Sequence, residues 1–316
     1  MNTQFLSDYK IFYSLSYHNN SVFHIILLEN KDLASCSRDK SIIIYSQNDY
    51  KKIKLQIFFE ELIFYIEKYK QSKLLLTVGK KIILIQLKNN NTLYDKIFEI
   101  VAHKKLIYKT IYLKNYKNNF IASCSDDKLI KIWEEYPINT FINISIFKTH
   151  NKRVTSIYGI SNGILISTSY YESTIKFYDL EKTIFLKSLK VECVGLYNTL
   201  IELNKNYICL CGNKKGIFLI NIVNYEIDKI LNIDFFCSVL KKINDNTILL
   251  GISHSGMDGE YFNIEEYKIK EKNIWEFSSS LRNIHKHLIN EIILDDEDNI
   301  ITCSSDRTIK ILKKFK

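Results

Sequence analysis

At 316 residues the chain is longer than one hydrophobic core usually organises, so it is expected to hold two domains or a repeat array. Hydrophobic residues at 46% and aromatics at 13% supply enough apolar surface for a packed interior and exclude a chain disordered throughout. The net charge of +9 would suit an anionic partner, but only four basic residues are arginines (Arg38, Arg153, Arg282, Arg307), and the lysines are scattered over many turns.

In chain order, Tyr9 to Tyr17 (YKIFYSLSY) alternates and predicts a strand, with Ile11, Tyr13 and Leu15 on one face. Leu33 to Tyr45 (LASCSRDKSIIIY) predicts two short strands joined by a tight polar turn. Leu62 to Ile66 (LIFYI) is strongly strand-like, and the turn after Leu76 is shortened to TVGKK. The two-strand unit returns at Phe120 to Trp133 (FIASCSDDKLIKIW) and Ile300 to Leu312 (IITCSSDRTIKIL). Looser copies stand at Leu165 to Tyr178 and Ile208 to Ile220. Between Ser253 and Glu260 the corresponding turn is enlarged to SHSGMDGE, holding two of the nine glycines, and reads as a loop to inspect for function.

The turn residues Asp39, Lys80, Asp127, Glu172, Lys214, Asp258 and Asp306 are spaced by 41, 47, 45, 42, 44 and 48 residues. A period in the forties with short strands is the signature of a radially repeated sheet. Four histidines keep the same phase. His18, His103, His150 and His285 each stand four residues before a β-branched residue (Val22, Ile107, Val154, Ile289). They precede their turn acids by 21, 24, 22 and 21 residues.

On these residues the chain resembles the WD-repeat family over its whole length. The resemblance implies an all-β, seven-bladed β-propeller in a single domain, 1–316. The blades are expected near 18–61, 62–102, 103–149, 150–192, 193–234, 235–284 and 285–316, the last completed by 5–17. Only four residues follow Leu312, too few for an outer strand, so the spare N-terminal strand is expected to supply it.

The resemblance also implies a hydrogen-bonded set in each regular blade, which suits a buried imidazole needing a partner at both nitrogens. Blade 3 has the full set His103, Ser123, Asp127 and Trp133. Blade 1 has His18, Ser35 and Asp39 with Tyr45, and blade 4 has His150, Ser167 and Glu172 with Tyr178. Blade 7 has His285, Thr302 and Asp306 with Leu312, while blades 2, 5 and 6 lack the histidine.

No residue combination points to catalysis, a metal or a cofactor. His285 and His287 form HKH without further ligands at zinc spacing, and Asp295, Asp296 and Asp298 lack the Gly and distal Glu of a calcium loop. The seven cysteines show no disulfide framework. Cys36, Cys124, Cys303, Cys209 and Cys211 fall on predicted core strands and read as reduced, in a cytoplasmic or nuclear protein. Neither a signal peptide nor a membrane-spanning run is expected.

The resemblance places a partner-docking face at the residues beside each β-branched position and before each turn acid. Phe23, Arg38, Tyr108, Asp126, Arg153, Thr155, Tyr170 and Asn290 are the candidates, with Phe23, Tyr108, Arg153 and Arg38 as anchors. Ser21, Leu106, Leu288 and Ser305 complete the mapped face. The expected function is a non-catalytic protein–protein scaffold, monomeric within a larger complex. The alternative is a propeller that binds RNA or ribonucleoprotein through surface lysines.

Overall fold

The computed structural model describes residues 6, 8–114, 119–169, 171–191, 199–212, 216–233, 235–256, 259–269 and 275–315. It is all-β, with seven antiparallel four-stranded sheets arranged as the blades of a β-propeller. Blade 1 is β2 (Val22–Leu27), β3 (Leu33–Ser37), β4 (Ser41–Ser46) and β5 (Asp49–Phe58). Blade 2 is β6 (Ile63–Tyr69), β7 (Lys73–Val78), β8 (Lys81–Lys88) and β9 (Leu93–Val101). Blade 3 is β10 (Ile107–Tyr112), β11 (Phe120–Ser125), β12 (Ile130–Glu135) and β13 (Phe141–Phe147). Blade 4 is β14 (Ser156–Gly159), β15 (Ile164–Ser169), β16 (Thr174–Asp179) and β17 (Ile184–Lys190).

Blade 5 is β18 (Leu200–Asn204), β19 (Tyr207–Cys211), β20 (Ile217–Asn221) and β21 (Ile227–Leu231). Blade 6 is β22 (Phe236–Asn244), β23 (Thr247–Gly256), β24 (Gly259–Ile269) and β25 (Trp275–His285). Blade 7 is β26 (Ile289–Leu294), β27 (Ile300–Ser304) and β28 (Ile309–Lys314), with β1 (Tyr9–Leu15) as its outer strand.

By contacts the chain divides into two compact units, 23–190 and 1–22 with 191–316. In the first, the middle strands are covered on both faces. Every residue of β3, β4 and β11 is buried, which is why LASCS, SIIIYS and FIASCS read as unbroken apolar or small-residue runs instead of alternating. The outer strands β9, β13 and β17 are mostly exposed. Leu28, Ile42, Ile63 and Leu76 belong to one core cluster of this unit, and Tyr69, Ile107, Trp133 and Phe141 to another.

The tight turns share one backbone device. Lys40, Lys128, Ser173 and Arg307, each directly after a turn acid, have φ of 71°, 72°, 49° and 73°. That region is costly for a side-chain-bearing residue, and the preceding acid holds it by accepting backbone amides. Asp127 accepts from Leu129 N at 3.1 Å, and Asp306 from Thr308 N at 2.9 Å. In blade 2, where the acid is missing, Gly79 takes the positive φ (55°) without that support.

In the second unit β1 pairs antiparallel with β28, from Tyr9↔Lys314 to Leu15↔Ile309, so the N-terminal strand completes the C-terminal blade as expected. Leu6, Tyr9 and Leu15 are buried there, and the Tyr9 hydroxyl donates to the Asp298 carbonyl at 2.5 Å. The expected shared face of Ile11, Tyr13 and Leu15 is not formed. The register slips between Ile11 and Tyr13, a bulge that re-aims the side chains and leaves Ile11 43% exposed. The expected loop at Ser253 to Glu260 is also corrected. β23 and β24 continue pairing through Ser253↔Phe262 to Gly256↔Gly259, so the extra residues lengthen a hairpin whose tip, 257–258, lies outside the described residues.

Candidate functional site

Three histidines centre closed hydrogen-bond chains. In blade 3 the indole Nε1–H of Trp133 donates to Ser123 Oγ at 2.9 Å, and Ser123 Oγ is 2.8 Å from His103 Nε2. His103 Nδ1 lies 3.0 and 3.1 Å from the two carboxylate oxygens of Asp127. One proton order satisfies every group. Trp133 donates to Ser123, Ser123 donates to Nε2 of a neutral imidazole, and Nδ1–H donates to the carboxylate.

Blade 4 repeats the chain, with His150 2.6 Å from both Glu172 Oε2 and Ser167 Oγ. Tyr178 replaces the indole, its hydroxyl 3.1 Å from Ser167 and 2.6 Å from Thr149 Oγ1. In blade 7 His285 meets Asp306 at 2.9 Å and Thr302 at 2.8 Å, and Leu312 offers no donor. In blade 1 Asp39 accepts from Ser41 N at 3.0 Å and Oγ at 2.6 Å, Ser35 lies 3.5 Å from Tyr45, and His18 is buried.

A recurring lysine escaped the sequence reading. Lys131 Nζ donates to the carbonyl of Ala102 at 2.7 Å, and Lys176 and Lys310 donate to those of Thr149 and Ile284. Each acceptor is the residue just before the histidine, and each lysine lies four residues after the turn acid. That fixed spacing was a signal in the sequence.

Burial holds His103, His150 and His285 below the ordinary imidazole range, His150 at about 4. The carboxylate opposes this shift in each case, and the neighbouring lysine reinforces it. The unfolded chain therefore binds protons below pH about 6.5 that the folded chain refuses. Stability is full above that pH and is lost as pH falls below it, for His150 by up to about 1.4 kcal/mol per unit down to about pH 4. Urea midpoints measured between pH 7.5 and 4.5 are expected to fall with this slope, less steeply in His150→Gln. A flat profile would contradict neutral histidines. Burial alone would raise Asp127 and Glu172, but the bonds to His103 and His150 outweigh it and hold both below the usual carboxylate range. A second loss follows below pH about 4.

Several candidate docking residues form one strip in the 23–190 unit. Phe23 stacks on Phe64 with ring centroids 4.9 Å apart, and Phe64 meets Tyr108 at 5.3 Å. Arg153 Nη1 donates to the Tyr108 hydroxyl at 3.0 Å, its Nε lies 3.5 Å from Asp126, and its guanidinium sits 4.6 Å from the Tyr171 ring centroid. The strip thus runs Phe23–Phe64–Tyr108–Arg153–Tyr171 across blades 1 to 4. Beneath it Lys109, 6% exposed, lies 4.9 Å from the Tyr65 ring and 4.1 Å from that of Tyr158.

Phe64 and Tyr171 were missed. Phe64 follows Ile63 as Phe23 follows Val22 and Tyr108 follows Ile107, but blade 2 has no histidine to set the phase. Of the other candidates, Arg38 is exposed. Thr155 is corrected: it is 1% exposed with its hydroxyl on the Thr168 carbonyl, because the chain enters blade 4 by pairing there. Asn290 is half-buried, its amide donating to Val22 O at 2.7 Å and Ser305 Oγ at 3.1 Å, which ties strands together. Tyr170 lies outside the described residues.

Among the described residues no group of three or more His, Cys, Asp or Glu could hold a metal ion. No helix among them is long and apolar enough to cross a membrane.

Comparison with known proteins agrees with this geometry. The family model "WD domain, G-beta repeat" matches residues 98–134, the segment that carries the complete blade 3 set. The chain thus carries one segment that matches a WD repeat, within a seven-bladed β-propeller fold. The WD40 β-propeller domain of Doa1 superposes with a TM-score of 0.74 over 98% of each chain at 16% identity, a likeness of fold. In sequence the chain is 32% identical over 133 residues to the nuclear distribution protein PAC1 of Candida dubliniensis (strain CD36). That match covers 40% of this chain and 26% of the relative.

Proposed function

We propose that this propeller is a protein–protein interaction scaffold that docks a partner on the strip from Phe23 to Tyr171. The observation that carries the reading is continuity. Aromatic rings and one guanidinium from four blades touch in sequence, with Tyr108, 8% exposed, as the buried link between the more exposed members, so the surface is assembled before any partner arrives. Aromatic and Arg side chains are the types that anchor interfaces, and Arg153 stays 42% exposed while held on three sides. Preassembly lowers the ordering cost of binding. WD40 propellers commonly serve as interaction scaffolds, which supports the reading without naming the partner.

The test is affinity capture from the native organism, comparing wild type with Arg153→Glu/Tyr171→Ala after matching their melting temperatures. A stoichiometric protein retained by wild type and reduced at least about tenfold by the pair, roughly the loss of one hot spot, is expected. RNA recovered equally by both and released by moderate salt would replace this reading with binding through the +9 charge.

A further inference from the structure

The strip occupies the starts of β6 and β10. At the other ends of the same strands lies a second feature that the docking reading does not use. A cavity of about 600 Å³ opens there, walled by the β2–β3, β6–β7 and β8–β9 connections and the end of β10. Its volume falls within the range of small-ligand sites.

The walls are strongly basic. Lys68, Lys70, Lys73, Lys88 and Lys114 line the cavity, against one carboxylate, Glu29. Lys70 is bonded to Glu135 and Lys88 to Asp95. Lys73 donates to the neutral Asn139 side chain at 2.8 Å. Lys68 and Lys114 are exposed and form no ion pair among the described residues, though the Lys114 charge acts on the Glu67 carboxyl. Three ammonium groups from two blades thus line one concavity, and of the three Lys114 has a carboxyl, Glu67, near it.

The polar wall is built in advance. Asn89, Asn90 and Asn91 all hold positive φ (48°, 54° and 64°), and the connection closes on itself through Thr92 N to Lys88 O at 3.2 Å. Asn91 Nδ2 donates to Asn30 Oδ1 and Asp32 Oδ2, both at 2.9 Å, and Asn30 Nδ2 donates to Asn90 Oδ1 at 2.8 Å. Asp32, buried and bonded to Lys54 at 2.7 Å, anchors the group and balances its own charge there. The oxygen of Asn90 is thereby occupied, leaving its NH2 as a donor at the cavity wall. Leu74, Leu87 and Tyr112 add apolar lining.

We infer that this cavity binds a small polyphosphorylated ligand. Ammonium groups are strongly hydrated point charges that suit phosphate oxygens without demanding planar geometry. Their convergence from separate loops around one concave volume fits a compact polyanion better than an extended strand, which needs a track of charge. The same chemistry is offered by a free polyphosphorylated molecule and by a phosphoinositide headgroup.

The test is isothermal titration of the full chain with inorganic tripolyphosphate, and sedimentation with phosphatidylcholine vesicles containing or lacking phosphatidylinositol 4,5-bisphosphate. Lys68→Glu/Lys114→Glu is compared with Lys52→Glu/Lys187→Glu, an equal charge change on outer strands, all with matched melting. Tripolyphosphate affinity is expected to fall about 10- to 100-fold in the first pair, the loss of two charge-assisted contacts, and to hold in the second. Binding to phosphoinositide vesicles displaced by tripolyphosphate would assign the ligand to a lipid headgroup. Tripolyphosphate binding without vesicle binding would assign it to a soluble molecule. An equal fall in both pairs, or no binding of either probe, would overturn the inference. Because the strip is untouched by these changes, partner capture remains a separate readout.

Discussion

Replacing Ser123 with alanine is expected to cost about 3–5 kcal/mol of unfolding free energy, far more than a lone hydroxyl usually contributes. The reason is its position between two buried groups. Ser123 accepts from the Trp133 indole at 2.9 Å and lies 2.8 Å from His103 Nε2, and all three residues are at most 3% exposed. Alanine orphans both neighbours at once, and each unsatisfied buried group costs about 1–3 kcal/mol. Blade 7 supplies the internal control. Thr302 serves His285 at 2.8 Å, but Leu312 stands where blade 3 has its indole, so Thr302→Val orphans one nitrogen and should cost about 1–3 kcal/mol. In a Trp133→Phe background the serine loses one dependant, and Ser123→Ala should become cheaper by about the same single-group amount. Urea unfolding of the four blade 3 variants measures this. Equal costs for Ser123→Ala with and without Trp133 would show that the chain does not act as a unit.

Removing residues 1–15 is the second large effect. β28 would lose its partner strand, exposing a row of unpaired backbone groups along blade 7. Leu6 and Tyr9, 0% and 3% exposed, would leave the core they share with Ile300 and Leu312, and Leu15, 3% exposed, would lose its buried site. At about 1.5–3 kcal/mol for each large side chain the loss is roughly 5–8 kcal/mol, enough to lower the melting temperature by more than about 10 °C. A truncated chain that fails to accumulate would be uninformative by itself, so a point variant accompanies it. Tyr9→Ala removes the ring and its hydroxyl bond to the Asp298 carbonyl while keeping the strand, at an expected cost of about 3 kcal/mol. A synthetic peptide of residues 6–15 added to the truncated chain should raise its melting temperature with concentration. A truncated protein melting like the full chain would mean that β1 adds nothing to blade 7.

What could be read from the sequence was whatever local chemistry dictates. The positive φ after Asp39, Asp127, Glu172 and Asp306 needs an acid to hold it, so those turns marked themselves and set the period. The doubly covered middle strands showed as runs such as LASCS and FIASCS for the same reason. The failures occurred where the outcome depends on a neighbour distant in sequence. The bulge near Phe12 follows from pairing with β28, some 300 residues away, and no alternation in YKIFYSLSY announces it. Thr155 was placed on the surface by spacing alone, whereas its pairing to Thr168 buries it. Phe64 and Tyr171 needed the structure because one lies in a blade without its histidine and the other sits one residue from the position the spacing selected. The basic cavity is assembled from connections spread between Leu28 and Lys114, and its lysines read singly as ordinary surface charge.

The buried cysteines report on how the blades open. Cys36, Cys124, Cys209, Cys211, Cys237 and Cys303 are each 0% exposed, and burial pushes the Cys36 and Cys124 thiols well above their usual range. A thiolate is the reactive form, so an alkylating reagent meets these sulfurs only when the strand that carries them comes apart. They stand in blades 1, 3, 5, 6 and 7. The molecule therefore carries its own clock in five of its seven sheets, with the order in which the sulfurs become labelled recording the order in which the blades open.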